Sequence, residues 1–329
     1  MHEIKTREPK PKQGNFPSHF KITLLSFLVC TAALSIALYF YAGFTSSQAA
    51  SVISKQVFSQ AFINQDKIPV TKPGPFTIDE LQDKLSSFSV SDSFSEIGNY
   101  PLGSHEKDIL NVTLSLVEAE GIHVGFVMLD LNTGYGISYN ADEEFYSASS
   151  IKGPYIASLA AANPDSIYNW GESMYATVHD SNTEEYIFLR SSYGHEPLVA
   201  WCEDAGVESF LDDEWYPWCT SRTLAKLWLT NYKYFQTGSE DAEEVMSWFG
   251  STYHSPISEN LEAKYIVCSK AGWIAEDGYS ATVDAGVVYA GDNPYLMIIM
   301  TDAPKDFEML SALVKVLDDL HDYMNRRPG

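Results

Sequence analysis

Residues 145–155 read FYSASSIKGPY: two aromatic residues, three serines, then a lysine at the head of an apolar run. Phe145 and Tyr146 favour extended backbone, whereas Ile156, Ala157 and Leu159 supply an apolar helical face, so the stretch predicts a strand end that turns into a helix over 149–161. On that helix Ser149 and Lys152 stand three residues apart and project from one face. A lysine desolvated beside a hydroxyl loses part of its hold on its proton and becomes able to take the serine's, which makes the pair a candidate nucleophile and base. A plainer alternative remains open on this stretch alone, with Ser149 as a helix N-cap and Lys152 capping a surface turn.

The S-x-x-K spacing occurs three times, at Ser18/Lys21, Ser104/Lys107 and Ser149/Lys152, so the pattern by itself is weak. Only the third opens an apolar helix. Working outward from it, Leu110, Leu114 and Val117 carry helical spacing over 109–119. Residues 123–131, HVGFVMLDL, read as a strand, Asn132-Thr-Gly134 as a turn, and 135–139 as the hairpin partner. Residues 153–250 are mostly helical in pattern, most clearly at 221–235 and 241–249. Strands return at 264–274, 281–290 and 295–301, and a last helix opening near Asp302-Ala-Pro304 presents Phe307, Leu310, Val314, Leu317 and Leu320 on one face. This order predicts an α+β domain over 104–329, in which an antiparallel sheet of sequence-distant strands is flanked by N- and C-terminal helices.

Upstream, residues 22–44, ITLLSFLVCTAALSIALYFYAGF, form an uncharged apolar run long enough to cross a bilayer as a helix. Lys5, Arg7, Lys10, Lys12 and Lys21 make 1–21 a basic tail, which places the N-terminus in the cytoplasm and the rest outside. A cleaved signal peptide, with small residues in Phe44-Thr-Ser-Ser-Gln-Ala-Ala50, is the competing reading. Residues 45–103 read as a stalk broken by Pro73-Gly74-Pro75 and rich in serine at 86–95. Within it Thr77-Ile-Asp-Glu80 is a capping box ahead of Leu81 and Leu85.

The chain's net charge of −23 disfavours nucleic acid and anionic surfaces as partners. No GxSxG, HExxH, phosphate loop or full GxGxxG is present, and His179, His195 and His254 lack partners at metal spacing, so no metal or cofactor is expected. Of the four cysteines, Cys30 lies in the apolar run and Cys268 has no evident partner. Cys202 and Cys219 either pair or remain free thiols.

Two further segments give Ser149 and Lys152 a context: His179-Asp-Ser-Asn-Thr183 ahead of a helical run, and Ser269-Lys-Ala-Gly-Trp273 within a late strand. A serine and lysine, then a Ser/Asp/Asn cluster, then Lys-x-Gly on a late strand form a set that resembles the class A β-lactamases and penicillin-binding proteins. The resemblance covers residues 104–329. It implies Ser149 as the acylated nucleophile, Lys152 as base or proton relay, and Asn182 as the amide that orients substrate and lysine. It further implies Lys270, with Ala271 and Gly272, at the substrate carboxylate, and an oxyanion site from the backbone N–H groups of Ser149 and Trp273.

Four departures accompany it. In the natural register the family's Ser-Asp-Asn is Asp180-Ser181-Asn182 here, so an aspartate stands where a proton-donating serine is expected. Ala271 replaces the hydroxyl residue of Lys-Thr-Gly. Only 31 positions separate Ser149 from Asp180, which implies a reduced helical subdomain. No residue clearly matches the deacylating glutamate of class A enzymes, although Asp212, Asp213 and Glu214 are nearby acids. The expectation is a membrane-anchored extracytoplasmic serine hydrolase acting through Ser149 on a β-lactam or peptidoglycan-peptide substrate. A D-Ala-D-Ala peptidase is one alternative. A catalytically silent binding module on the same fold, suggested by Asp180 and Ala271, is another.

Overall fold

A computed structural model of the chain describes residues 76–90, 93–98, 102–208, 214–276 and 278–326. The basic tail, the apolar run at 22–44 and the segment 45–75 lie outside the described residues. Among the described residues no helix is long and apolar enough to cross a membrane.

The alternating apolar segments form a six-stranded antiparallel sheet. Its strands are β1 (Ser95–Ile97), β2 (Val124–Asp130), β3 (Gly136–Tyr139), β6 (Ile266–Glu276), β7 (Tyr279–Tyr289) and β8 (Tyr295–Thr301), in spatial order β1-β3-β2-β8-β7-β6. β4 (Glu144–Tyr146) and β5 (Trp218–Thr220) pair separately as a short ribbon. The central strands β2 and β8 are buried at every residue, so their apolar side chains need cover on both faces. On one face Phe126, Met128, Met297 and Ile299 meet α2 (Ser104–Ala119) and α10 (Phe307–Arg326). On the other, Val127, Leu129, Leu296 and Ile298 meet α1 (Ile78–Ser87), α3 (Lys152–Ala162) and α7 (Ser221–Phe235).

The helix opened by the SASSIK stretch occupies the centre of the second layer. Its first turn is a 3-10 turn over Ala148–Ile151, and it continues as α3, where Lys152 through Ala160 are all buried. A helix apolar all round must be enclosed. The enclosing helices are α4 (Asp165–Val178), α5 (Thr183–Tyr193), α6 (Glu196–Asp204), α7 and α8 (Glu240–Ser247), while α9 (Pro256–Leu261) packs on the other layer against α10. These helices form a helical layer beside the sheet.

The capping box forms as the sequence indicates, with Glu80 N–H donating to Thr77 Oγ1 at 3.3 Å and Thr77 N–H to Glu80 Oε2 at 2.8 Å. The helix it starts is no tether, however. Leu81 and Leu85 are buried in the core, and the Arg222 guanidinium lies on the Phe88 ring and donates to Leu85 O and Phe88 O at 2.7 and 3.1 Å. With β1 paired to β3, the folded domain reaches upstream of residue 104 into part of what the sequence reads as stalk. Cys202, Cys219 and Cys268 are free, buried thiols.

The C-terminal helix is fixed to the sheet by a buried carboxylate and its hydrogen bonds within the core. Asp130, which ends β2, accepts the N–H groups of Asn132 and Thr133 at 3.0 and 2.7 Å and so shapes the Asn132-Thr-Gly134 turn. Its other oxygen meets His321 Nε2 at 2.8 Å and Asn325 Nδ2 at 3.0 Å on α10. Burial alone would raise the Asp130 pKa, but the His321 hydrogen bond and charge, with the Thr133 and Asn325 donors, outweigh it and leave the carboxyl below 3.8. A depressed carboxylate stabilises the fold above its unfolded value, and that contribution is lost as pH falls through the folded value. Asp130→Asn should therefore lower stability by about 2 kcal/mol near neutrality, the usual cost of removing a buried carboxylate from its hydrogen-bond donors. Urea titrations should show the difference from wild type closing as pH falls below about 4.

Candidate active site

The approach of β6 to the 3-10 turn sets the site. A Cβ on Gly272 would lie 2.4 Å from Ser150 N, 2.6 Å from Ser149 N and 2.8 Å from Ser147 O, so only glycine lets the strand come this near. Ala148, just ahead of the serine, has φ +45°, a strained value that turns the chain sharply between β4 and α3. The turn is tied down by Ser147 N–H to Pro217 O at 3.1 Å and by Ser150 Oγ to Ser147 O at 2.7 Å. Ser149 is left half-buried while its neighbours Ala148, Ser150 and Ile151 are buried.

The N–H of Ser269 donates to Phe249 O at 3.0 Å, away from the partner strand β7. Because strand N–H groups alternate in direction, those of Ala271 and Trp273 point to the same open edge. The Ser149 N–H packs against Gly272, the residue before Trp273.

Lys152 is fully buried, and its Nζ donates to Ser181 O at 2.8 Å and Thr183 Oγ1 at 3.1 Å. Tyr186 and Tyr216 rings lie 5.6 and 5.9 Å from the nitrogen. Burial pushes its pKa down to about 7. Lys270 arrives from β6, also fully buried, and its Nζ donates to Ser181 Oγ at 3.0 Å and Ala271 O at 2.6 Å. Burial, then the charge of Lys152, pushes Lys270 to about 7 against the pull of Asp284. Ser181 itself is held at φ +59° by flanking backbone bonds, Asn182 N–H to Ala176 O at 2.9 Å and Tyr253 N–H to His179 O at 2.8 Å.

This geometry shifts the second motif by one residue from the register read in the sequence. Asp180 points outward, exposed and bonded to His179 Nδ1 at 2.8 Å. Asn182 is not at Lys152: its Oδ1 accepts Glu184 N–H and Glu185 N–H at 2.9 and 3.2 Å, as the N-cap of α5. Ser181 takes the serine's place after all, and Thr183, which the motif reading misses, supplies the oxygen that meets Lys152. Aligning on the serine instead of on the adjacent Asp and Asn letters gives Ser181-Asn182-Thr183 and finds it.

Ala271 is buried and contributes no donor beyond its backbone, so the missing hydroxyl stands as a real difference. Its cross-strand partner Asp284 is raised to about 7 by burial, although Ile257 N–H and Ser255 Oγ donate to it at 2.9 and 2.7 Å. Ser255 Oγ continues to Ser269 Oγ at 2.7 Å, which Ser258 Oγ also reaches at 2.9 Å. This buried hydroxyl cluster locks β6 to α9 directly behind Lys270.

Of the acids weighed for deacylation, Asp212 and Asp213 lie outside the described residues and Glu214 is exposed. Arg190 donates to Glu214 O at 3.0 Å and Trp215 O at 3.2 Å, and Tyr186 Oη to Trp215 O at 3.0 Å, fixing the segment so that the Tyr216 ring faces Lys152. The Ser104/Lys107 repeat is a surface feature of α2, with Lys107 paired to Glu96 at 2.9 Å. Ser18 and Lys21 lie outside the described residues.

Comparison with solved structures places the fold. A β-lactamase from Chitinophaga pinensis is similar with a TM-score of 0.53 and 17% identity over 65% of this chain and 98% of that one. A β-lactamase from Sphaerobacter thermophilus gives 0.53 and 15% over 67% and 98%, and a carbapenemase from Vibrio cholerae 0.52 and 17% over 64% and 99%. No curated protein matches the chain. The sequence model of the beta-lactamase enzyme family matches residues 106–167 and 182–324, more than half of the chain, and breaks off across the α4 segment that leads to Ser181. On that match the chain belongs to the beta-lactamase enzyme family.

Proposed function

We propose that the chain is a serine acyl hydrolase or acyltransferase in which Ser149 is acylated by a β-lactam or peptide-like amide, displayed outside the membrane by an anchor at 22–44. The observation that carries this reading is the state of Lys152. A neutral amine has two hydrogens and one lone pair; Ser181 O and Thr183 Oγ1 take the hydrogens, which leaves the lone pair to accept a proton. Burial lowers both amines to about 7, and for Lys270 the charge of Lys152 adds to it, so near neutrality each is protonated only part of the time.

In the forward step the Lys152 lone pair takes the proton from Ser149 Oγ as that oxygen bonds to the acyl carbon. The N–H groups of Ser149 and Trp273 hold the carbonyl oxygen as it gains charge, a contribution of about 3 to 4 kcal/mol for a donor of this kind. Ser181 Oγ, already accepting from Lys270, passes its own proton to the departing nitrogen and is reprotonated by the lysine pair. A silent binding module does not require two buried lysines converging on one residue, Lys152 on the Ser181 carbonyl and Lys270 on its hydroxyl.

The second half-reaction is slower in this reading. Among the described residues, tyrosine rings and no carboxylate stand against Lys152, so no base activates water on that side. The acyl-enzyme then persists or is handed to an acceptor amine.

Intact-protein mass spectrometry of the full-length chain, after exposure to a penicillin and separately to a serine-reactive phosphonate, tests this. A mass increase on wild type that is absent in Ser149→Ala supports it; folded wild type that stays unmodified by both reagents rejects it. The phosphonylation rate should fall about tenfold per pH unit below 7, as protonation removes the Lys152 lone pair, and level off above. Gly272→Ala should lower the thermal transition and, in the protein that remains folded, label about a hundredfold more slowly, because the added methyl displaces the Ser149 turn.

A further inference from the structure

The aromatic side chains around the site are not used by the chemistry above. On one side of the serine the Tyr146 ring lies 4.8 Å from Tyr279 and 5.8 Å from Trp218, and Tyr216 links this group back toward Lys152. On the other side, past Gly272, Trp273 lies 5.9 Å from Tyr253 and 5.4 Å from Phe307. Trp218, Tyr279 and Tyr253 are 44%, 45% and 53% exposed. Apolar surface left open on both flanks of a nucleophile is surface waiting for a ligand.

The charges around it are as informative. Lys270, which the family resemblance assigns to a substrate carboxylate, is 0% exposed, and its amine is committed to Ser181 Oγ and Ala271 O. The hydroxyl that would assist it is missing at Ala271. Among the described residues no lysine or arginine other than Lys270 lies over the Tyr146, Trp218, Tyr279, Tyr253, Trp273 or Phe307 rings. The charged neighbours of Tyr146 are instead the carboxylates of Glu214 and Glu276, which act on its phenol after burial and the Tyr279 and Tyr216 phenols. A carboxylate bound between these walls would be desolvated against an amine already committed to Ser181 Oγ and Ala271 O, and would face like charge at Glu214 and Glu276.

Given Ser149 acylation, on which this rests, we propose that the substrate is an amide or ester that carries no carboxylate beside the scissile bond and presents an aromatic or apolar group to the Tyr146/Trp218/Tyr279 wall. It departs in this from β-lactam acids and from peptides ending in a free carboxylate. An internal amide, or a carboxyl-blocked one, satisfies both walls and the acidic rim.

Benzylpenicillin and its methyl ester differ at that carboxylate and share the phenylacetyl group, which makes them the test pair. Adduct growth on the full-length chain is followed by intact mass spectrometry, each rate divided by the reagent's rate with hydroxylamine in solution. The methyl ester should acylate about tenfold faster or more, the factor set by leaving a charged group desolvated and unpaired. In parallel, p-nitrophenyl phenylacetate should outpace p-nitrophenyl acetate, and a Trp218→Ala, Tyr279→Ala double variant should shrink that ratio several-fold. A free acid that reacts as fast as its ester, or a ratio untouched by the double variant, overturns the assignment while phosphonate labelling of Ser149 keeps the catalytic reading intact. Absence of labelling by every reagent, the phosphonate included, removes both.

Discussion

Two lysine amines without solvent meet at one serine, and the rest of the domain is arranged around that problem. An amine taken out of water needs oxygen acceptors or must release its proton. Here both happen: Ser181 offers its carbonyl to Lys152 and its hydroxyl to Lys270, and the two amines are driven to about 7. A single residue can serve both only if its backbone turns its two oxygens in different directions. The left-handed conformation of Ser181 does this, and the cap made by Asn182 and the backbone bonds on either side hold it there. Exposure of either lysine would restore an ordinary ammonium and end the chemistry.

Keeping them dry is the task of the two layers. Lys152 sits on a helix that is enclosed all round, an unusual place for a charged residue and one reached because Ile156, Ala157 and Leu159 draw α3 into the core. Lys270 sits on an edge strand, which has an open row of backbone groups and would ordinarily be wet. The 3-10 turn and the segment around Phe249 cover that edge, and the Ser255, Ser258, Ser269 and Asp284 cluster fastens the strand from behind. The same covering packs the Ser149 turn against the strand, so that the enclosure of Lys270 and the placing of Ser149 follow from one contact at Gly272.

Periodicity makes much of this fold legible in the amino-acid sequence. The hairpin of 123–139, the strands at 264–301 and the helix of 221–235 follow from alternation and turn chemistry, and the capping box at Thr77 forms as its residues indicate. What periodicity does not show is partnership across long sequence separations. The segment at 78–97 looks like a tether because its composition is serine-rich, yet two leucines and the distant Arg222 are enough to anchor it. The register at Ser181 fails for a related reason. Asp, Asn and Ser are all good helix-start residues, so letters near α5 do not reveal which of them caps and which faces inward. Only Lys152, reaching from 29 residues upstream of Ser181, decides that Thr183 and not Asn182 is the inward oxygen.

The replacement at Thr183 has a further consequence for how the site works. A threonine hydroxyl can both accept and donate: it accepts from Lys152 and shares a hydrogen bond with the Tyr216 phenol. That phenol is raised by burial, so it stays protonated and cannot act as a base where an ionised acid would. Burial therefore holds the lysine near its neutral form, with oxygen acceptors on one side and aromatic rings on the other, an environment suited in the proposed reaction to taking one proton from Ser149 and poorly suited to generating hydroxide. Acylation and deacylation make opposite demands on the space beside Lys152, and the segment held by Arg190 fills that space in favour of the first.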